Sequence, residues 1–419
     1  MKKYIIKKVI RLTLLLFPVF FWGCNSSKIC EVKKPVSNTG AEYDVAVYVW
    51  PAFQPSADWK KYDLFKKGIG EWEFVKEAEK KRSWHKQPLE PLWGYEPEDN
   101  PVVIARKIDA CLAAGVNVMI YDWYWYDNAP FLEGGLQAFL KAPNSYRMKF
   151  AIMWANHDVD DLWDKTVRYK CRDPKGYRNT RARARVSLDE FKNVLVPRWI
   201  EFFKKPNYYK INGKPVFQMF LPCDTARYFG STEAAAEAFK YFEQKAIDAG
   251  FSGIEFQGNG SGLRMKPEVF NELGYDGAFF YNWLSLEPFS GSYYLDYSNR
   301  PDMDYKEWGE KAYKKLDEQV KRFSQYQYYP NVTCGWDTNP RFPADVYTPV
   351  ALNNTPERFE YFLRKAKDWA DKNIAPNKPK LILINALNEW TEGAYIEPDT
   401  ENGYGFLNAI SNVFRPTAK

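Results

Sequence analysis

The stretch Leu-Ile-Leu-Ile-Asn-Ala-Leu-Asn-Glu-Trp-Thr-Glu-Gly-Ala-Tyr-Ile-Glu-Pro-Asp runs from Leu381 to Asp399 and joins a short apolar run to a crowd of acids, amides and aromatics. The run Leu381 to Ile384 reads as a buried strand. Asn388, Glu389, Trp390, Glu392, Gly393, Tyr395 and Glu397 follow at its mouth. Such groups are the ingredients of a carbohydrate site. Two carboxyls divide acid and base work when their environments separate their pKa values. Aromatic faces offer flat apolar surface to sugar rings, and Asn and Glu bind hydroxyls. A Glu-x-x-Glu pair is common in helices and solvated loops. Its place after a strand, beside Asn388 and Trp390, is what gives this pair weight.

Strand-like and helix-like segments alternate outward from that stretch. Strands are expected at Val45 to Val49, Val116 to Tyr121, Lys149 to Trp154, Val216 to Phe220, Gly253 to Gln257, Gly277 to Tyr281, Tyr328 to Thr333 and Leu381 to Asn385. Helices are expected around Pro101 to Ala114, Leu188 to Lys204, Thr232 to Ala249, Tyr305 to Gln325 and Pro356 to Lys372. Roughly eight strand–helix units predict an α/β fold, a (β/α)8 TIM barrel with elaborated loops. The competing open doubly wound sheet lacks its usual sign, a Gly-rich turn after the first strand. The segment from Pro51 to Asn100 is too long for a simple loop and is expected to pack over the barrel mouth, as is Trp283 to Asp304.

The 419 residues can bury a large core, and aromatic content is high at 18%, with 16 Trp and 29 Tyr, which suits both a core and glycan contacts. The net charge of +6 comes with no long basic block, so nucleic acid is not an expected partner. Lys2, Lys3, Lys7, Lys8 and Arg11 precede an apolar stretch from Leu12 to Trp22, then Gly23-Cys24 and polar residues. This reads as a secretory signal over residues 1–23, too short for a comfortable membrane span. It resembles a bacterial lipoprotein signal with Cys24 as the lipidated residue; ordinary secretion and an uncleaved anchor are the alternatives. Residues 24–43 read as a tether, and 44–419 as one catalytic domain. The expected setting is the cell envelope, with the membrane reached through the lipid anchor. Cys30, Cys111, Cys171, Cys223 and Cys334 match no metal signature, and Cys111 reads as core. His85 and His157 are the only histidines, which argues against a His-rich zinc site.

In a barrel, catalytic groups belong at the C-terminal ends of strands. Polar and aromatic residues recur there: Tyr48 and Trp50; Asp122, Trp123 and Tyr124; Asn156 and His157; Gln257 and Asn259; Tyr281, Asn282 and Trp283; Trp336, Asp337 and Arg341; Asn388, Glu389, Trp390 and Glu392. The elements Asn388-Glu389-Trp390-Thr391-Glu392-Gly393 with Glu397-Pro398, Gly335-Trp336-Asp337 with Pro340-Arg341, Trp154-Ala155-Asn156, Gly70-Glu71-Trp72, and Lys205-Pro206-Asn207-Tyr208 with Asn212-Gly213-Lys214-Pro215 occur in that ordered set from about Asp44 to Phe414. On these residues the chain resembles the WbsX-like, glycoside hydrolase family 99-like proteins.

The resemblance implies a TIM barrel and a retaining endo-acting glycosidase of the endo-α-mannosidase type. It implies Glu389 as the base that deprotonates the sugar 2-hydroxyl, which attacks the anomeric carbon to form a 1,2-anhydro sugar. It implies Glu392 as the acid that protonates the leaving oxygen. The ordinary alternative is direct attack by a carboxylate. Tyr48 and Trp123 are implied contacts in the cleavage subsite, with Asn156, Trp336, Asp337, Asn388 and Trp390 as further hydroxyl or stacking partners. The expected partner is a polysaccharide or glycoprotein glycan, met by a monomer with no cofactor and no metal. Two other classes remain: a non-catalytic glycan-binding lipoprotein, and a glycosyltransferase-like protein. The first has no need of an acid–base pair; the second would depend on a nucleotide sugar.

Overall fold

The computed structural model describes residues 42–159, 163, 180–260, 267–287, 302–322 and 324–415. The leader, Cys24, most of the tether, Cys30 and Cys171 lie outside the described residues. Among the described residues no helix is long and apolar enough to cross a membrane.

Parallel strands form at Tyr43–Val49, Val118–Tyr126, Lys149–Trp154, Lys214–Met219, Glu255–Asn259, Gly277–Phe279 and Lys380–Asn385. A further strand is split into Gln327–Tyr328 and Asn331–Thr333. Their residues are buried almost throughout, as strands sandwiched between a barrel interior and an outer helix layer must be. Register ties each to the next: Val45 faces Ile382, Ala46 faces Val118, Ile120 faces Ala151, Met153 faces Gln218, Gln218 faces Gln257 and Gln257 faces Gly277. The split strand closes the circuit. Gln327 pairs with Gly277 on one side, and Asn331 pairs with Leu383 on the other. Between its halves Tyr329 donates to the Ala278 carbonyl at 3.2 Å, and the Pro330 carbonyl accepts from Leu383 at 3.0 Å. Proline has no N–H to donate, so the ladder is interrupted there while the barrel remains closed.

The helices begin and end where local chemistry requires. Pro101–Ala114 starts at Asn100, whose side chain accepts from the Val102 N–H, and ends at Gly115 with φ 101°. Ser231 caps Thr232–Asp248, and Thr355 caps Pro356–Asn373. The expected helix at Leu188 to Lys204 contains a π-helical turn over Phe191–Leu195. Pro197, just beyond it, cannot donate to the preceding turn.

Two of the differences from expectation bear on the site. The strand expected at Val116 to Tyr121 extends to Tyr126, because Tyr124 to Tyr126 pair with an antiparallel return, Ala129–Phe131. The strand expected at Gly277 to Tyr281 stops at Phe279, leaving Tyr281 beyond the ladder. The Pro51 to Asn100 segment carries the short helices Ala57–Lys61 and Trp72–Glu77. It builds a second apolar cluster in which Trp50, Phe53, Trp59 and Trp72 pack with Trp390 and Tyr395. That cluster covers the end of the strand Lys380–Asn385, where the site lies.

Candidate active site

A buried arginine organises the catalytic turn at the mouth of the barrel. Arg341 is 1% exposed. Its Nη1 donates to Glu392 Oε1 at 2.6 Å, and its Nε donates to Thr391 Oγ1 at 2.9 Å. Its Nη2 lies 3.1 Å from Glu71 Oε1 and 3.5 Å from Glu389 Oε2. Burial opposes the guanidinium's charge, but Glu71, Glu392 and Glu389 outweigh it and raise its pKa.

Glu71 reaches this point through a backbone that only glycine permits. A Cβ on Gly70, at φ 64°, would meet the Ala52 carbonyl oxygen at 1.9 Å. Glu71 Oε2 then accepts from Trp50 Nε1 at 2.8 Å and Thr391 Oγ1 at 2.6 Å. The buried carboxylate is thereby hydrogen-bonded and fixes the guanidinium from behind.

Glu389 and Glu392 leave the strand end in a turn. Burial raises the Glu389 pKa well above the carboxylate range, and the Glu392 charge adds to it against the pull of Arg341. Burial also raises Glu392, and Arg341 pulls it back. Tyr281 Oη lies 2.8 Å from Asp122 Oδ2 and 2.9 Å from Glu389 Oε1. A phenol has one proton, so it can donate to one carboxylate only. The second contact is favourable when the other carboxyl is itself protonated. Burial pushes Asp122 well up too, with the Tyr281 hydrogen bond opposing. The bridge and the burial of both carboxyls favour a proton on the Asp122–Glu389 side, while Arg341 draws Glu392 toward its ionised form. Among the described residues Glu389 Oε2, 3.5 Å from Arg341, and Asp122 Oδ1 have no hydrogen-bond partner and can receive a ligand hydroxyl.

The other sequence candidates divide. Tyr48 is buried beneath this centre, its ring 4.7 Å from that of Tyr281 and its hydroxyl donating to Gln218 at 3.1 Å. Trp336 and Asp337 stand beside the turn, where the Asp337 N–H donates to the Glu392 carbonyl at 2.6 Å. Asp337 is held by His85, whose Nδ1 accepts from the Lys81 N–H and whose Nε2 is 2.6 Å from the carboxylate. That pairing selects the Nε2–H tautomer.

Four further candidates have their polar groups engaged within the protein. Trp123 packs against Trp125 and Trp199 in the helix layer, with its N–H on Glu133; strand alternation turns it outward and Asp122 inward. The Asn156 amide is closed on the backbone of Leu221 at 2.8 and 2.9 Å. Asn388 bonds both backbone groups of Trp50 and both oxygens of Glu98. Trp390 stacks on Tyr395 at 3.7 Å and donates to Glu397, so neither its face nor its N–H is free. Glu71, Asp122, Tyr281 and Arg341 are the groups that the structure gathers around Glu389 and Glu392. Their positions stood in the sequence elements quoted above, but only the fold brings them together.

Among solved structures, a glycoside hydrolase-like protein aligns over 90% of this chain and 94% of its own, at 15% identity and TM-score 0.53. The GH99 endo-alpha-mannosidase from Bacteroides thetaiotaomicron, in complex with Bis-Tris-propane, aligns over 88% and 95%, at 13% identity and TM-score 0.52. These likenesses establish a shared barrel fold. The protein WxcX of Xanthomonas campestris pv. campestris is 24% identical over 368 residues, 87% of this chain and 48% of its own length. The chain thus spans about half of that relative. The family described as Glycosyltransferase WbsX matches residues 45–410, nearly the whole barrel, and the chain belongs to that family.

Proposed function

We propose that this protein is a glycoside hydrolase, retaining and endo-acting on α-linked, mannose-like glycans. The observation that carries the reading is the buried pair Glu389 and Glu392 facing one buried arginine, with Tyr281 joining Glu389 to Asp122. A pair with raised and unequal proton affinities suits acid–base catalysis near neutral pH.

In the proposed first step Glu389 removes the 2-hydroxyl proton as that oxygen bonds the anomeric carbon. The bond to the leaving oxygen breaks, and Glu392 protonates that oxygen. In the second step water attacks the anomeric carbon and gives a proton to Glu392. The ring-closing bond breaks, and the 2-oxygen takes its proton back from Glu389. Arg341 lies closer to Glu392 than to Glu389, which opposes these roles. The reading therefore requires bound substrate to favour the proton on Glu392 and the charge on Glu389.

Product analysis on α-linked glycans, mannans included, tests this with wild type, Glu389→Gln and Glu392→Gln. Cleavage by wild type alone is expected. Glu392→Gln should recover activity on aryl glycosides whose leaving group needs no proton, whereas Glu389→Gln should not. Equal cleavage by all three proteins would remove the pair from the chemistry. Efficient cleavage of a 2-deoxy substrate would exclude the anhydro route.

The family's description as a glycosyltransferase favours a second reading, sugar transfer, for which a nucleotide sugar would be the expected donor. Stabilisation by a nucleotide sugar in a thermal-shift assay, with no glycan hydrolysis, would select it. We further propose export and lipid attachment at Cys24. Loss of membrane association in Cys24→Ala, with no lipid-modified peptide by mass spectrometry, is the matching measurement.

A further inference from the structure

A cavity of about 540 Å³ opens beside the catalytic turn, and none of Glu71, Arg341, Glu389 or Glu392 lines it. Its volume falls within the usual range of ligand sites. Trp336, Asp337 and Gly393 form the wall it shares with that turn. The wall is tightly made: Gly393 has φ 59°, and a Cβ there would lie 2.8 Å from the Asp337 Cβ.

Trp84 also lines the cavity and is 56% exposed, a large flat apolar face left open to solvent. Trp336 is 6% exposed, yet its indole N–H has no hydrogen-bond partner among the described residues. Asn354 uses its amide N–H on the Cys334 carbonyl at 3.4 Å, and its side-chain oxygen remains to accept. The carboxylates of the lining are already engaged. Asp302 accepts from Tyr347 and from the Val350 N–H, Asp337 is held by His85 and Asn339, and Asp399 accepts from Tyr395 and Asn402. Lys86, also in the lining, is paired with Glu401 at 2.6 Å. A flat ring, an indole donor and an amide acceptor, with the charges of the lining paired, fit a neutral polyhydroxylated ring rather than an ion.

We infer that this cavity is a distal glycan subsite, holding a neutral pyranose unit other than the one that reacts, with Trp84 as its stacking face and Trp336 Nε1–H as a hydroxyl donor. The inference rests on the glycan reading of the site above. The subsite sets preference for chain length. Because its wall carries the Asp337 N–H bonded to the Glu392 carbonyl, occupancy also steadies the turn that presents Glu392.

The test uses the full chain carrying Glu389→Gln, titrated calorimetrically with manno-oligosaccharides of two to six units, with and without Trp84→Ala. A second variant, Leu352→Trp, fills the cavity instead of stripping it. Both should weaken the longer ligands by roughly 2- to 12-fold, the range of an aromatic contact, and leave the shortest unchanged. In the catalytically intact protein the same variants should raise KM for the longer substrates while kcat on an aryl α-mannoside stays at the wild-type value. Unchanged affinity for every length in both variants would overturn the subsite and leave hydrolysis standing. Binding that both variants weaken, without cleavage by wild type, would keep the subsite and remove hydrolysis. No binding of any oligosaccharide would overturn both readings.

Discussion

Two buried charge clusters lie within ten residues of each other on the same loop and are built to opposite ends. At the loop's root Lys107, 3% exposed, is paired with Glu98 and, at 2.5 Å, with Glu397. Asn388 donates to both Glu98 oxygens, and Trp390 donates to Glu397. This cluster clamps the loop to the helix Pro101–Ala114. At the loop's tip Arg341 gathers Glu71, Glu389 and Glu392 but stays 3.5 Å from Glu389 Oε2, and among the described residues Asp122 Oδ1 has no hydrogen-bond partner. Both clusters place more carboxyls than cations in a dry environment. The root holds both of its carboxyls on the lysine at short range; the tip holds Glu389 only loosely and leaves Asp122 Oδ1 open. A buried polar group left open costs stability, so its retention at the tip is what a site for substrate hydroxyls requires.

Removing the cation should separate the two most sharply. Lys107→Met leaves two carboxyls unpaired in the core and should cost about 3–5 kcal/mol of stability by denaturant unfolding. Glu389→Gln should do the reverse. It removes a charge that burial already disfavours, so the midpoint should stay or rise, while kcat falls at least about a hundredfold. A Glu389→Gln protein as unstable as Lys107→Met would erase the distinction between scaffold and site.

Tyr281→Phe sharpens the tip. The phenol bridges Asp122 and Glu389, and its loss leaves two buried carboxyls without their shared donor. We expect kcat to fall roughly tenfold to a hundredfold and the pH profile to move, because the hydrogen bond to Asp122 holds that carboxyl's pKa down. A fall in kcat with an unmoved profile would mean that Tyr281 only fills space.

Much of the frame was legible in the chain. Pro101 to Ala114 was readable to its ends because Asn100-Pro101 and Gly115 punctuate it. The strand Lys149 to Trp154 was readable because its apolar run is short and bounded. What a linear reading cannot supply is which way a side chain faces and what has already claimed it. Trp123 and Asp122 are neighbours, yet the strand pleat sends one into the helix layer and the other to the centre. Asn388 and Trp390 stand in the same motif as Glu389, yet both are used to fasten it. Glu71 meets Thr391 across 320 residues, a contact no local pattern announces.

The smallest expected effect is the most direct probe of the root. Burial raises Glu98 to about 7 against the pull of Lys107, with Glu397 adding to the rise. A carboxyl whose folded pKa lies above its unfolded value binds its proton more tightly when folded. Its contribution to stability is whole below the unfolded pKa and is lost as pH rises through the folded one. Wild type should therefore lose stability from this group between the ordinary glutamate range and about pH 7. Glu98→Gln mimics the protonated form at every pH and keeps an acceptor for Lys107. The variant's midpoint relative to wild type should climb across that window and level off above it. A difference that is flat with pH would mean that Glu98 is ionised throughout and that root and tip do not share the same imbalance of charge.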